Sequence, residues 1–423
     1  MKRVSALLLT CTLGLSALSG CSASAAPQPL SAQPVTISEE ETMRYDLETP
    51  AVWSALSEFG LDLLKTARQE GEGTLLSPLS AALALSMAAN GADGETLDQF
   101  REVLGDGASL EALNVSCSAL MKLYGGLGGS TECSIANSLW TDPEGRMQED
   151  FVGRCSGIFD AQVFQEDLSA PVIVPALNSW VSDHTAGMIP QIIQRPFGED
   201  AAALMVNALY LKNTWATKFD PSDTVTRDFT RADGTAEPLD FLQHFSRSLT
   251  YLQSGSDEGV LLPYDDGRLA FFALMPRQSS GVPDFERWLS SLTGEGLSAL
   301  LSGRDETFFL RLSLPKFEQE WSGELKDALA ALGLTDAFDP DLADFSLLGD
   351  DPRGYYLSQV IHAARIEVNE EGTEAAAAPV VAAASGAAPP QEGVTLIFDR
   401  PFLYGIVDLQ NGVPLFLGTF EGL

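Results

Sequence analysis

Apolar positions recur at helical spacing through YDLETPAVWSALSEFGLDLLKTARQE, which predicts a first long helix. The stretch GTLLSPLSAALALSMAANGADGETLDQFREVLG predicts a turn and then a buried helix starting after Ser77-Pro78, with proline at an early helical position. Asn90-Gly91 ends that helix, and another begins near Gly94-Glu95. CSIANSLWTD reads as a strand, and NSWVSDHTAGMIPQII as a helix closed by a turn. The apolar run AAALMVNALYLKNTW suits a strand buried on both faces. GVLLPYDDGRLAFFALMPR predicts a hairpin around Asp266-Gly267, and TFFLRLSLPKFEQEW alternates as a further strand. SGELKDALAALGL predicts a helix capped by Ser322 and ended near Gly333. VTLIFDRPFLYGIVDLQNGVPLFLGTF supplies the final strands, joined at Asn411-Gly412. Helices dominate early and strands late, without βαβ alternation or a fixed-period repeat. The expected class is therefore α+β with large mixed or antiparallel sheets.

One stretch fits neither period. VNEEGTEAAAAPVVAAASGAAPP, Val368 to Pro390, opens with acids and then carries almost only small side chains. Alanine is the best helix former, so alone the stretch reads as a helix or spacer. It equally suits a segment selected for small size.

The N-terminus adds a location. Lys2 and Arg3 precede an apolar stretch that is short for a membrane span. It ends in LSGC, Leu18 to Cys21, which resembles the bacterial lipobox. This reading makes 1–20 a signal peptide, Cys21 the lipidated residue, and 21–44 a flexible tether rich in Ser, Ala, Pro and Gln. The alternative is an ordinary secretory signal cut near SASAA. The formal net charge of -34 argues against nucleic acid and against adhesion of the folded surface to anionic lipid. Of five cysteines, Cys117, Cys133 and Cys155 remain in the domain, widely spaced and without CxxC. They read as small buried thiols, with one disulfide among them conceivable in an exported chain.

Several segments in order now resemble the serpin family, across about Tyr45 to Gly422. They are LLSPLSAALALSMAANGADGETLDQF, NSWVSDHTAGMIPQII, MVNALYLKNTWATKFDPSDTVTRDF, LSLPKF, SQVIHAARIEVNEEGTEAAAA, DRPFLYGI and PLFLGTF. The resemblance implies a serpin domain over 45–423, with helices packed around three β-sheets and a hinge and reactive loop at 368–392. It implies a single-use trap: a protease attacks the loop, an acyl-enzyme forms, and the cut loop inserts as a new strand of the large sheet. The native fold is then metastable and held by a kinetic barrier.

The hinge residues are Glu370, Glu371, Gly372, Thr373, Glu374, Ala375, Ala376, Ala377 and Ala378. Side chains of a strand alternate faces, so Thr373, Ala375 and Ala377 fall on one face and Glu374, Ala376 and Ala378 on the other. One face must enter a packed interior, where bulk is costly. Gly372 lends the backbone freedom to hinge. Pro379 departs from the pattern, because it continues the inward series and has no N–H for a central strand. Family spacing counted forward from Glu370 places the reactive bond at Gly386-Ala387; counted back from Pro401 it lands near Pro390, a poor cleavage site. The loop is then a few residues longer than in common relatives, and the small-residue stretch also offers Ala384-Ser385. No large or basic residue lies nearby, which points to elastase-like or subtilisin-like serine proteases and, more weakly, to papain-like cysteine proteases. By resemblance, Ser77, Ser80, Asn207 and His362 form a polar cluster that controls sheet opening. Trp215 lies at the top of the sheet, and Lys316 pairs with Glu370 there.

Rival classes fare worse. A conventional hydrolase lacks support, since only His184, His244 and His362 are present and neither GxSxG nor HExxH occurs. A transporter's substrate-binding lipoprotein would share the N-terminus but not the hinge. A non-inhibitory serpin-fold binding protein, cut without trapping, is the closest alternative. The expected molecule is a monomer, exported and lipid-anchored on the outer side of a cell membrane, with no metal or organic cofactor, no nucleic-acid partner and no enzyme activity.

Overall fold

The computed structural model describes residues 27–246, 249–277, 284–303, 309–352, 354–373 and 393–423. Three large sheets carry the architecture. The first is six-stranded, in the order Phe317–Glu324, Leu357–Val368, Gly372–Thr373, Ala203–Thr214, Glu132–Thr141, Gln162–Gln165. The second runs Gly393–Ile397, Phe309–Pro315, Ala236–Ser246, Val225–Thr230. The third, also six-stranded, contains the closing strands Phe402–Asp408 and Pro414–Phe420 beside Leu269–Pro276. Helices cover these sheets, as the α+β expectation requires.

Local chemistry explains the main elements. The helix Pro78–Ala89 is buried along its whole length and begins where the Ser77 hydroxyl accepts from Ser80 N–H. The helix Ile173–His184 ends in a tight turn with Ala186 and Gly187 both at positive φ. The Asp257–Pro263 and Leu269–Pro276 strands form the expected hairpin, with Gly267 at φ +71°.

Three expectations need correction. TFFLRLSLPKFEQEW is two strands, Phe309–Pro315 and Phe317–Glu324, placed in different sheets. Pro315 has no N–H to continue a ladder, and the chain changes sheet at Lys316. Ser322 lies inside the second of these strands and caps nothing; the helix starts only at Lys326.

The third correction concerns the tether. Residues 27–44 form a bound strap. Leu30 N–H donates to the Val163 carbonyl at the sheet's outer strand, and Val35 N–H donates to the Gly153 carbonyl, at 2.7 and 2.8 Å. Leu30, Ala32 and Ile37 pack on the core, and a Ser38–Glu41 capping box starts the short helix Glu39–Tyr45. Two glycines on the helix Glu149–Phe159 make the seat. A Cβ on Gly153 would strike the Gln33 carbonyl, and one on Gly157 the Val35 carbonyl. The few apolar side chains of the strap are scattered among Ser, Pro and Gln, so composition hides them.

Cys117, Cys133 and Cys155 are free, and burial pushes the Cys117 thiol up to about 12. Among the described residues no helix is long and apolar enough to cross a membrane.

Alanine normally stabilises a helix relative to glycine by up to about 1 kcal/mol. At Gly157 the sign should reverse, because the added methyl displaces the strap. Gly157→Ala is expected to lower the urea midpoint, and Gly157→Leu to cost about 1–3 kcal/mol. Both should expose residues 27–37 to limited proteolysis; an unchanged midpoint and digestion pattern would mean the strap is not held there.

Candidate functional site: the opening in the large sheet

The large sheet is closed below and parted above. The parallel strands Ala203–Thr214 and Leu357–Val368 pair from Leu357↔Ala203 to Ala363↔Ala208. Above that rung the two-residue strand Gly372–Thr373 sits between them, with Thr373 opposite both Asn213 and Val368. Gly372 faces Thr214 so closely that a Cβ would strike the Asn213 carbonyl. Close approach, not a left-handed backbone, is what demands glycine here.

The polar cluster lies at the last closed rungs, where His362 is opposite Asn207. The Asn207 carboxamide uses its whole capacity. Its Oδ1 accepts from Ser80 Oγ (2.5 Å) and from His362 Nδ1–H (3.1 Å). Its Nδ2 donates to the Ser80 carbonyl and to Asn137 Oδ1, each at 2.7 Å. Ser77 N–H donates to His362 Nε2 at 2.9 Å. That bond makes Nε2 the acceptor and leaves the proton on Nδ1. Ser77, Ser80, Asn207 and His362 are thus brought into one buried network that ties the helix Pro78–Ala89 to both central strands. Asn137, opposite Asn207 on the neighbouring strand, completes it. Sequence reading passed over Asn137 because one asparagine within an apolar strand carries no spacing signal.

A second set of contacts holds the hinge at the top. Lys316 Nζ lies 2.9 Å from Glu370 Oε2, and Thr224 Oγ1 donates to Glu370 Oε1 at 3.0 Å. Burial pushes the Glu370 carboxyl up, but the hydrogen bonds from Lys316 and Thr224 outweigh it, and the group stays below its ordinary range. Lys218 pairs with Glu371. Trp215 donates its indole N–H to the Asn369 carbonyl (2.8 Å) and its backbone N–H to the Glu371 carbonyl (3.0 Å). Its ring stacks on Tyr264 at 4.8 Å, and the Tyr264 hydroxyl meets Thr373 Oγ1. Thr373 is 2% exposed, so the first residue of the inward series does face the interior. Lys218, Thr224, Tyr264 and Asn369 escaped sequence reading, since they converge from separate strands and turns. Glu374, Ala375, Ala376, Ala377, Ala378, Pro379 and the bond candidates Ala384, Ser385, Gly386 and Ala387 lie outside the described residues, as does Cys21.

Burial drives the His362 imidazole down to about 4. Protonating Nε2 would also set a second N–H against that of Ser77. The folded value lies below the unfolded one near 6.5, so the unfolded chain takes up the proton first as pH falls. The stability contributed by neutral His362 is complete above about pH 6.5 and is lost toward pH 4. The wild-type unfolding free energy from urea titrations should fall between pH 6.5 and 5 with a slope of up to about 1.4 kcal/mol per pH unit beyond that of His362→Gln. Parallel pH profiles for the two proteins would exclude this role for His362.

Comparison with known proteins gives one answer. The family profile described as serpin (serine protease inhibitor) matches residues 54–422. Serpin-ZXA of Oryza sativa subsp. japonica is 32% identical over 82% of this chain and 89% of its own length. An uncharacterized serpin-like protein of Methanosarcina mazei is 27% identical and aligns with 100% of this chain and 98% of its own. Among solved structures, the thermophilic serpin tengpin in its native state superposes with a TM-score of 0.81 at 30% identity, covering 94% of this chain and 97% of that one. Its latent state gives 0.74. The sheet with its wedged hinge, the buried network and the family match over nearly the whole domain agree: this chain belongs to the serpin family, whose members are generally protease inhibitors rather than enzymes.

Proposed function

We propose that the protein is a suicide-type inhibitor that traps a serine protease as an acyl-enzyme by inserting its cleaved loop into the large sheet. The observation that carries this reading is the hinge. Gly372 and Thr373 already occupy the position of a new central strand, in a sheet whose flanking strands are paired only below. Continued pairing from Thr373 would run the loop down the fissure toward the Asn207 network.

The chemistry begins on the protease. Its serine oxygen attacks the carbonyl of the bait bond, at Gly386-Ala387 or Ala384-Ser385. An ester forms, the C–N bond breaks, and the new amine on the C-terminal side takes the proton. The inhibitor supplies no catalytic group. Its contribution is the insertion that follows, driven by a new ladder of backbone hydrogen bonds and burial of small side chains. In this reading Ser77, Ser80, Asn207 and His362 hold the lower sheet closed, while Trp215 and Lys316 hold the hinge at the top until cleavage. The small bait side chains fit elastase-like or subtilisin-like targets. With Cys21 lipidated after removal of 1–20, the protein would face outward on a cell membrane and guard the envelope. The strap, anchored at Leu30 and Val35, would then join the lipid-bearing end to the domain.

Pro379 favours a second reading, in which the loop is cut without trapping and the molecule serves as a binding protein.

The domain lacking residues 1–21, mixed with an elastase and separately with a subtilisin, is expected to give a denaturant-stable band at the summed mass. Mass spectrometry of the released C-terminal peptide should place the cut at residue 384 or 386. Cleavage with full protease activity and no such band would exclude trapping of those enzymes. Pro379→Thr then separates causes: a band that appears only in the variant blames insertion, and none in either assigns the molecule to the second reading.

A further inference from the structure

The bait stretch carries only small side chains, and one methylene more or less discriminates weakly between pockets. Selectivity among proteases with small pockets then gains from contacts outside the bait stretch. The structure offers one surface beside it. Gly393, where the chain returns from the loop, pairs with Phe309 at the start of Phe309–Pro315. Two residues along the same strand, Arg311 is opposite Thr395 on one side and Phe245 on the other. The Arg311 guanidinium lies over the Phe245 ring at 4.9 Å, and the Phe245 and Phe309 rings meet edge to face at 4.0 Å. Phe245 is 45% exposed, although Leu242 and Phe241 of its own strand are fully buried. Arg311 and Thr395 are exposed as well.

We propose that Phe245, Arg311 and Phe309 form a second contact for the target protease, one that recognises an apolar patch bearing a carboxylate beside the protease's substrate cleft. This rests on the reading of the loop as protease bait. Reach supports it. Ala384 to Ala387 lie six to nine residues before Gly393, at most about 20–30 Å of extended chain. A protease of about 220 residues has a radius of gyration of roughly 17 Å, so one holding the bait covers this face. Chemistry supports it too. Aromatic side chains and arginine dominate interface energetics. An accessible cation on a chain of net charge -34 is a local exception that an acidic partner would find. Phe245 already presents its ring to solvent, so docking buries it without rearrangement of the sheet.

The test compares wild type with Arg311→Glu, Phe245→Ser and the double variant against a panel of small-pocket serine proteases that includes an elastase and a subtilisin. The readout is the second-order rate constant for loop cleavage, normalised to each protease's kcat/KM on a free peptide spanning 374–392. For at least one protease the double variant is expected to lose roughly ten-fold in rate. The fraction of cuts that end in trapping should not change, and the Arg311 part of the effect should shrink with salt. Rates within two-fold of wild type for every protease would overturn the second contact. Because cleavage is measured, a wild type that is cut but never traps sinks the inhibitory reading while the patch is still decided. A loop that no protease cuts overturns both. Arg311→Glu alters only an exposed side chain, so it keeps the test valid if Phe245→Ser lowers the thermal midpoint.

Discussion

Everything above the middle of the large sheet depends on whether two parallel strands stay paired below it. That pairing runs from Leu357↔Ala203 to Ala363↔Ala208 and is locked at its upper end by the Asn207 carboxamide. Asn207 receives and gives hydrogen bonds on both sides at once, to Ser80, His362 and Asn137. Such a network is cooperative and has little tolerance for partial loss, because any member left unpaired remains buried. The sheet therefore has a sharp boundary between closed and open, which a purely apolar interior would not impose. The trapping mechanism proposed above needs a boundary of that kind, since gradual parting would leave no barrier.

The upper end of the sheet is held by different physics. There the ion pairs of Lys316 with Glu370 and Lys218 with Glu371 are partly exposed, while the buried Trp215 and Tyr264 support the hinge from within. The exposed ion pairs are individually weak and exchangeable with water. In the proposed mechanism, a dry lock below and partly exposed ion pairs above let the loop be drawn in from the top. The outer margin of the same sheet is treated differently again. The strap covers it through the Val163 carbonyl and two glycines, leaving less free edge for another chain to pair with.

Much of this was legible in the sequence where the signal is local. Pro78, the Asn90-Gly91 stop, the alternating strands and the hairpin glycines each act through backbone geometry within a few residues, and the corresponding elements are found. Resemblance carried Ser77, Ser80, Asn207, His362, Trp215, Lys316 and Glu370, which the fold assembles into two clusters. Local reading failed where tertiary context overrides it. Pro315 divides one alternating run between two sheets, and Ser322 is claimed by a strand before it can cap a helix.

By itself the sequence determined the elements, the class of fold and the small-residue character of the loop, because these follow from period, side-chain volume and turn chemistry. Only the tertiary structure decided that Asn137 joins the lock, that Gly372 is required by the closeness of Asn213, and that residues 27–44 are bound rather than free. Each of these depends on atoms far apart in the chain meeting at contact distance. A polar residue in an apolar strand, or a glycine in a helix, looks the same in sequence whether or not a partner arrives. Its meaning is set by what the fold brings against it.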